Sequence, residues 1–354
     1  MKTQNLILGL VVIFFISCCS VYSQPFEMIE IGTGSDPHWS PDGTKLAYVL
    51  KGTLFVSKAD GKGEKETIGP LPWGALHFAW LDSNRFIFWG GHSFREKDIV
   101  SRKNVIQTMT LDGKEKLIAE SVSRGERATP FDITAPISFP DGMVGYYEVP
   151  YMKYLWETED AVFKVIKWGK LPPDSALKQM RVIQYDLSKT GEYVDRSIWL
   201  ESADRMIKTK VARCDYCSFP KSSPDGTKIL VLCGGTCAVC VVDLEGNINC
   251  VGKEDMRYSD PVDSVRIEWG MAPLPDWSPD GKKIAYAYVK AKGNEHNVFI
   301  LESEIYIENL DGSERIEATH QLNKSLGSPV WSPDGTRIAC VELHTSKIYV
   351  IKLK

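Results

Sequence analysis

Two groups of residues in this chain are of types that do chemistry. The first is a run of cysteines, Cys214, Cys217, Cys233, Cys237, Cys240 and Cys250, within one short stretch of a chain that holds nine. Thiols at such spacings close disulfides or, as thiolates, hold zinc. Cys233 and Cys237 flank Gly234-Gly235-Thr236, which reads as a three-residue hairpin loop, so these two are expected to face each other across two strands. Cys240 and Cys250 are symmetric about Glu245 in the next hairpin and make a second cross-strand pair. Cys214 and Cys217 make a local third, which leaves Cys340 alone in an apolar strand. The rival is a four-thiolate zinc site formed by Cys214-x-x-Cys217 and Cys237-x-x-Cys240, separated by nineteen residues. On a strand, Cys237 and Cys240 are an odd number of positions apart and point to opposite faces, which favours disulfides and no cofactor.

The second group is Asp36, His38, His77, Lys221 and Asp276, whose imidazoles, amine and carboxylates suit proton transfer or the capture of a small polar ligand or ion. They are scattered, so they act together only if the fold gathers them. The usual signatures of catalysis are missing: no Gly-x-Ser-x-Gly elbow, no His-Glu-x-x-His, no phosphate loop and no calcium loop. The expectation is therefore a binding protein rather than an enzyme. The alternative is a lyase or hydrolase acting on a polysaccharide or peptide.

What must position these residues is a repeat. Pro37-His38-Trp39-Ser40-Pro41-Asp42-Gly43 recurs as Pro220-Lys221-Ser222-Ser223-Pro224-Asp225-Gly226, Pro275-Asp276-Trp277-Ser278-Pro279-Asp280-Gly281 and Pro329-Val330-Trp331-Ser332-Pro333-Asp334-Gly335. Weaker copies lie at Phe78 to Phe86 and Pro136 to Val144, which makes six units. Pro-Asp-Gly gives a fixed φ, a carboxylate that bonds its own backbone and a residue free to take positive φ: a hairpin turn. Further turn signals, among them Ala59-Asp60-Gly61, Leu111-Asp112-Gly113, Lys189-Thr190-Gly191 and Leu310-Asp311-Gly312, close a third strand in each unit. Four antiparallel strands repeated six times predict an all-β six-bladed propeller occupying residues 24–354. The last unit has only three strands and the first is preceded by an orphan strand, Phe26 to Ile31. The orphan is expected to complete blade six and so cover an open edge.

The Trp-Ser-Pro-Asp-Gly repeats resemble those of TolB-like six-bladed propellers, a repeat shared with the propellers of prolyl-oligopeptidase and dipeptidyl-peptidase relatives. The resemblance covers nearly all of the chain after its leader. It implies the fold, partnership with a Tol-Pal lipoprotein on the TolB side, and peptidase activity on the other.

In a propeller the first strand of each unit lines the central channel. The residue between the repeated Pro and Trp is expected to face it: His38, Ala79, Ile137, Lys221, Asp276 and Val330. Asp36 and His77 lie three positions before their Trp, nearer one mouth. Long second-to-third-strand connections are expected over Gly90 to Lys103, Val149 to Met180 and Val289 to Leu301, building up that same rim. The insertion at about 149–180 carries Tyr151, Tyr154, Trp156, Phe163 and Trp168, a candidate surface for an envelope or extracellular protein or a glycan, and Glu157 to Trp168 is expected to form a short amphipathic helix.

Met1 to Ser23 reads as an export signal, with Lys2 ahead of an apolar run from Leu6 to Ile16 that is too short to span a bilayer. Ser17-Cys18 offers a lipoprotein alternative. Either places the propeller in the periplasm or outside the cell, where disulfides persist. A net charge of −4 argues against nucleic acid. No other stretch reaches membrane-spanning length, and a monomer is expected.

Overall fold

The computed structural model of the protein describes residues 26–72, 77–96, 99–123, 131–139, 142–150, 161–178, 180–187, 195–213, 217–233, 238–251, 275–294, 297–319 and 324–353. The segment expected to be an export signal, including Cys18, lies outside them. Among the described residues no helix is long and apolar enough to cross a membrane.

The first strand, β1 (Glu27–Thr33), stands before blade one, which is β2 (Ser35–Trp39), β3 (Lys45–Leu50), β4 (Thr53–Lys58) and β5 (Glu66–Pro70). Blade two is β6 (His77–Asp82), β7 (Arg85–Glu96), β8 (Ile99–Thr110) and β9 (Glu115–Ser123). In blade three the first strand is broken into β10 (Phe131–Ile133) and β11 (Ile137–Ser138), both paired with one edge of β12 (Val144–Pro150), while β13 (Val162–Lys167) pairs with the other. A single-turn helix, α1 (Pro173–Ala176), leads to a three-stranded sheet, β14 (Met180–Leu187), β15 (Asp195–Ser202) and β16 (Lys208–Arg213). Blade four is β17 (Cys217–Ser222), β18 (Lys228–Cys233), β19 (Ala238–Asp243) and β20 (Ile248–Val251). Blade five is β21 (Asp276–Trp277), β22 (Lys283–Asn294), β23 (Asn297–Asn309) and β24 (Arg315–Glu317). Blade six is β25 (Leu326–Trp331), β26 (Arg337–Glu342) and β27 (Lys347–Lys352), and β1 runs antiparallel along β27 as its fourth strand.

The protein is thus a propeller ring of six four-stranded antiparallel blades with a further three-stranded sheet set between blades three and four, and its N-terminal strand completes blade six as expected. Closure removes the edge that β27 would otherwise expose.

Apolar clusters sit between sheets. Trp39 and Leu46 of blade one meet Ala339 and Val350 of blade six, and Leu54 and Val56 meet Phe78 and Phe88 of blade two. Each blade is apolar on both faces because it is sandwiched by neighbours, so its strands read as runs rather than as strict alternation.

The three-stranded sheet was not expected. Its first strand and the turn at Lys189-Thr190-Gly191 read in sequence as the outer half of blade three. Instead it packs on blade three through Ala203 against Phe139 and Met143, and on blade four through Ile198 and Leu200 against Ile229 and Val231. It also carries its own copy of the repeat turn. Ser202 Oγ donates to Asp204 Oδ1 at 2.6 Å, and the Ile207 amide donates to Ser202 Oγ at 3.0 Å. Ser40, Ser223, Ser278 and Ser332 make the same two bonds in their blades. The glycine place is held by Arg205 at φ +62°.

Two other expectations are corrected. The segment Glu157 to Trp168 does not form a helix where it is described: Val162–Lys167 is a strand that gives blade three its outer edge. The connections around Gly90 to Lys103 and Val289 to Leu301 are not irregular loops. They are ladders, since β7 and β8 stay paired out to Glu96 and Ile99, and β22 and β23 out to Asn294 and Asn297.

Candidate functional site at the channel mouth

The Pro-x-Trp strands put the candidate residues at one end of the ring. His77 opens β6 opposite Trp89, and β7 continues beyond that pair to Glu96. Asp276 lies opposite Ala285, and β22 continues to Asn294. Both hairpins therefore overhang the end at which the inner strands begin. The Pro-Asp-Gly turns lie at the other end.

The inner strands are bulged near that mouth. Register shifts fall between Ser35 and His38, between Ser218 and Lys221, and between Gly327 and Val330. Asp36 and Ser328, the matching residues of blades one and six, take φ of +54° and +51°. A bulge of this kind re-aims a side chain out of the regular pleat. It turns Asp36 toward its neighbour: His38 Nε2 lies 3.1 Å from Asp36 Oδ1, with the two side chains 34% and 54% exposed. Burial works to raise the Asp36 carboxyl, but the hydrogen bond and charge of His38, with the charge of His77, overcome it and hold the group below its usual value. His38 is packed edge-on against Phe78 at 4.7 Å, and His77 is stacked on Trp89 at 5.6 Å. The structure thus brings Asp36, His38 and His77 together across blades one and two. A carboxylate that orients an imidazole beside a second imidazole can bind a polar ligand or pass a proton.

Lys221 and Asp276 form a separate pair with a different role. The Lys221 ammonium donates to Asp276 Oδ1, which also accepts the Trp277 amide at 3.0 Å, while Oδ2 accepts the Trp331 amide at 2.8 Å. Asp276 is 8% exposed. One carboxylate therefore ties blade four to five and five to six, and its lone pairs are spent on the ring.

The repeated tryptophans make a second set of ties that sequence reasoning missed. The indole N–H of Trp39 donates to the Val330 carbonyl at 2.9 Å, that of Trp80 to His38 at 3.0 Å and that of Trp277 to Lys221 at 3.1 Å. Each reaches the Pro-x-Trp middle residue of the preceding blade. The acceptor is backbone, so no residue type signals it. Blade five also buries a polar network: Tyr286 donates to Glu308 at 2.8 Å, Arg315 braces Glu308 at 3.0 Å, and Tyr306 donates to Glu304 at 2.8 Å. Burial and these carboxylates push both phenols up.

The rim residues divide. Tyr151, Tyr154 and Trp156 lie outside the described residues. Trp168 is 46% exposed. Phe163 packs inward against Phe139 and Tyr147, at 5.8 and 5.0 Å, as part of blade three.

The strand register places four of the six clustered cysteines. Across β18 and β19, Cys233 lies in register with Ala238. Cys233 also faces Cys217 across β17 and β18, and Cys240 faces Cys250 across β19 and β20. Cys214 and Cys237 lie outside the described residues. No group of metal-ligating side chains occurs among the described residues. Cys340 is a free, fully buried thiol that burial pushes up.

No family profile matches the chain. Among curated proteins it is 42% identical over 65 residues to the Tol-Pal system protein TolB of Alcanivorax borkumensis, covering 18% of this chain and 13% of that one. The repeat is TolB-like. A second match, 30% over 95 residues, is to dipeptidyl-peptidase 5 of Porphyromonas gingivalis, covering 26% of this chain and again 13% of the relative. The chain thus matches only about an eighth of either relative's length. Among solved structures, a putative TolB from Agrobacterium tumefaciens aligns with 92% of this chain and 91% of its own at 14% identity and a TM-score of 0.40. An oligogalacturonate lyase in complex with manganese aligns with 91% of this chain and 78% of its own at 16% identity and a TM-score of 0.38.

Proposed function

We propose that this protein is an extracytoplasmic binding propeller that holds an envelope protein or glycan at the mouth formed by Asp36, His38 and His77, beneath the β7–β8 and β22–β23 hairpins. The observation that carries this reading is the division of labour among the candidate residues. The Asp276 carboxylate is consumed in bracing three blades and holds the Lys221 ammonium, whereas Asp36, His38 and His77 remain partly open at the overhung end. Paired strands that extend past the ring offer a rigid wall of backbone and side chains, which lowers the ordering cost of docking. The apolar run ahead of Ser23 and the TolB-like repeat support the compartment, and the cysteine pairs of blade four suit an oxidising one.

A second reading is favoured by one feature, the Asp36–His38 bond beside His77. An imidazole oriented by a carboxylate is a competent general base, which would make the protein a lyase or hydrolase of a polysaccharide or peptide.

The test uses the full chain and an Asp36→Asn/His38→Gln/His77→Gln variant, each assayed for retention of envelope components and for turnover of polysaccharide and peptide panels. The binding reading expects a retained component that the variant loses while its melting temperature is unchanged, with no turnover by either. Turnover by the native protein that the variant lacks would replace it with the enzyme reading.

A further inference from the structure

A cleft of about 300 Å³ opens between blades five and six at the end opposite the channel mouth. Its polar wall is Ser278, Asp280, Lys283, Trp331, Asp334 and Gly335. The repeat supplies an internal standard for this place, because the junction of blades six and one is built from the corresponding residues. There Arg337 fills the space. Its guanidinium lies 4.8 Å from the Trp39 ring centroid and donates to the Gly43 carbonyl at 2.8 Å and to Asp334 Oδ2 at 2.9 Å. Three acceptors of different kinds, an indole face, a peptide carbonyl and a carboxylate, thus converge on one planar cation.

One blade back, the same three are present without the cation. Trp331 stands for Trp39, Gly335 for Gly43 and Asp280 for Asp334. The residue in Arg337's place is Lys283, whose ammonium is held by Glu314 at 3.3 Å. Lysine offers a point charge on a flexible stem and cannot make the forked contact of arginine. The turns are otherwise packed alike: a Cβ on Gly335 would sit 3.7 Å from Pro279 Cδ, and one on Gly43 3.5 Å from Pro333 Cδ. Asp280 Oδ1 is occupied by Ser278 and the Lys282 amide, while its Oδ2 carries no hydrogen bond among the described residues. The Trp331 indole N–H has no partner among the described residues; as a donor it cannot bond a guanidinium, and it serves the site only as a nearby reporter. The apolar wall, which includes Ile307 and Leu353, suits the methylene stem of an entering side chain.

We propose that this cleft is a receptor site for a guanidinium group, filled by an arginine side chain of a partner polypeptide that takes the place Arg337 takes at the next junction. The site is separate from the channel mouth and does not depend on the reading given for it.

The test is a titration of the full-length protein with N-acetyl-L-arginine methylamide, followed through the Trp331 indole N–H resonance, with the lysine analogue as control. Trp331→Phe assigns the resonance. If that variant does not fold, Asp280→Asn and Lys283→Arg, both at the surface, carry the test through calorimetry alone. A saturable response to the arginine probe is expected, weakened about tenfold in Asp280→Asn. Lys283→Arg is expected to abolish binding by filling the cleft from within, and to raise the melting temperature. Absence of a saturable response, an equal response to the lysine analogue, or undiminished binding by Lys283→Arg would overturn the proposal.

Discussion

Replacing Asp276 by alanine separates a bracing role from a chemical one. The substitution removes the acceptor of two buried backbone amides, Trp277 and Trp331, and of the Lys221 ammonium. A buried donor left without a partner costs about 1–3 kcal/mol, so the two amides together cost about 2–6 kcal/mol. Lys221 contributes little, because its side chain is 55% exposed and an exposed ammonium returns to water for less than about 1 kcal/mol. The sum is about 4 kcal/mol, or a fall in melting temperature of roughly 6 °C for a chain of this size. Lys221→Ala removes the same ion pair but leaves both amide bonds in place, so it should cost only about 1 kcal/mol. Urea unfolding of the two variants, with thermal scans alongside, measures the difference. Equal destabilisation by both, within about 0.5 kcal/mol, would refute the assignment of Asp276 to the ring.

Other outcomes follow from the same geometry. The turn carboxylates Asp42, Asp225, Asp280 and Asp334 are held below their usual range, Asp225 to about 2, with serine hydroxyls and turn amides donating to each. A carboxyl depressed in the folded state stabilises fully above its unfolded value and loses that contribution as pH falls through the folded one. Stability should therefore hold down to pH of about 4 and fall steeply toward about 2, and Asp225→Asn should flatten that fall in pH-dependent urea titrations. Trp39→Phe loses an indole hydrogen bond and exchanges the indole face beneath Arg337 for a smaller phenyl, whereas Trp331→Phe loses no indole bond among the described residues. The first should thus cost about 1–2 kcal/mol more by chemical denaturation. Peptide mapping, without reduction, of the protein produced in an oxidising compartment should recover Cys217 linked to Cys233 and Cys240 linked to Cys250, the cross-strand partners in blade four, and reduction should lower stability by about 2–4 kcal/mol. Recovery of all these cysteines as free thiols would contradict it.

The repeated phrase made the turns legible, and through them the six blades and the closing strand. It failed where the phrase lost the residues that make it recognisable. In the sheet of β14, β15 and β16 the turn keeps Ser202 and Asp204, which make its bonds, but has Ala203 for proline and Arg205 for glycine. The hydrogen bonds need the serine and aspartate; the eye follows the proline and glycine. The long hairpins were misjudged because Gly90, Gly91 and Gly293 read as loop, yet in a paired ladder a glycine is tolerated at modest cost. Val162–Lys167 was misjudged because a short segment mixing apolar and charged residues fits helix and strand alike, and an open edge of β12 decided the matter. At the mouth, sequence spacing placed the five candidates on inner strands. It could not show that a bulge draws Asp36 onto His38, nor that Asp276 turns its oxygens to backbone amides of its own and the next blade.

The most direct test of the binding account places a photo-crosslinking residue at Arg95, on the exposed part of the β7–β8 hairpin, and irradiates the protein in its own envelope. The account predicts a discrete adduct with the native mouth and its loss in the Asp36→Asn/His38→Gln/His77→Gln variant. The same adduct in both proteins, or none in either, would contradict it.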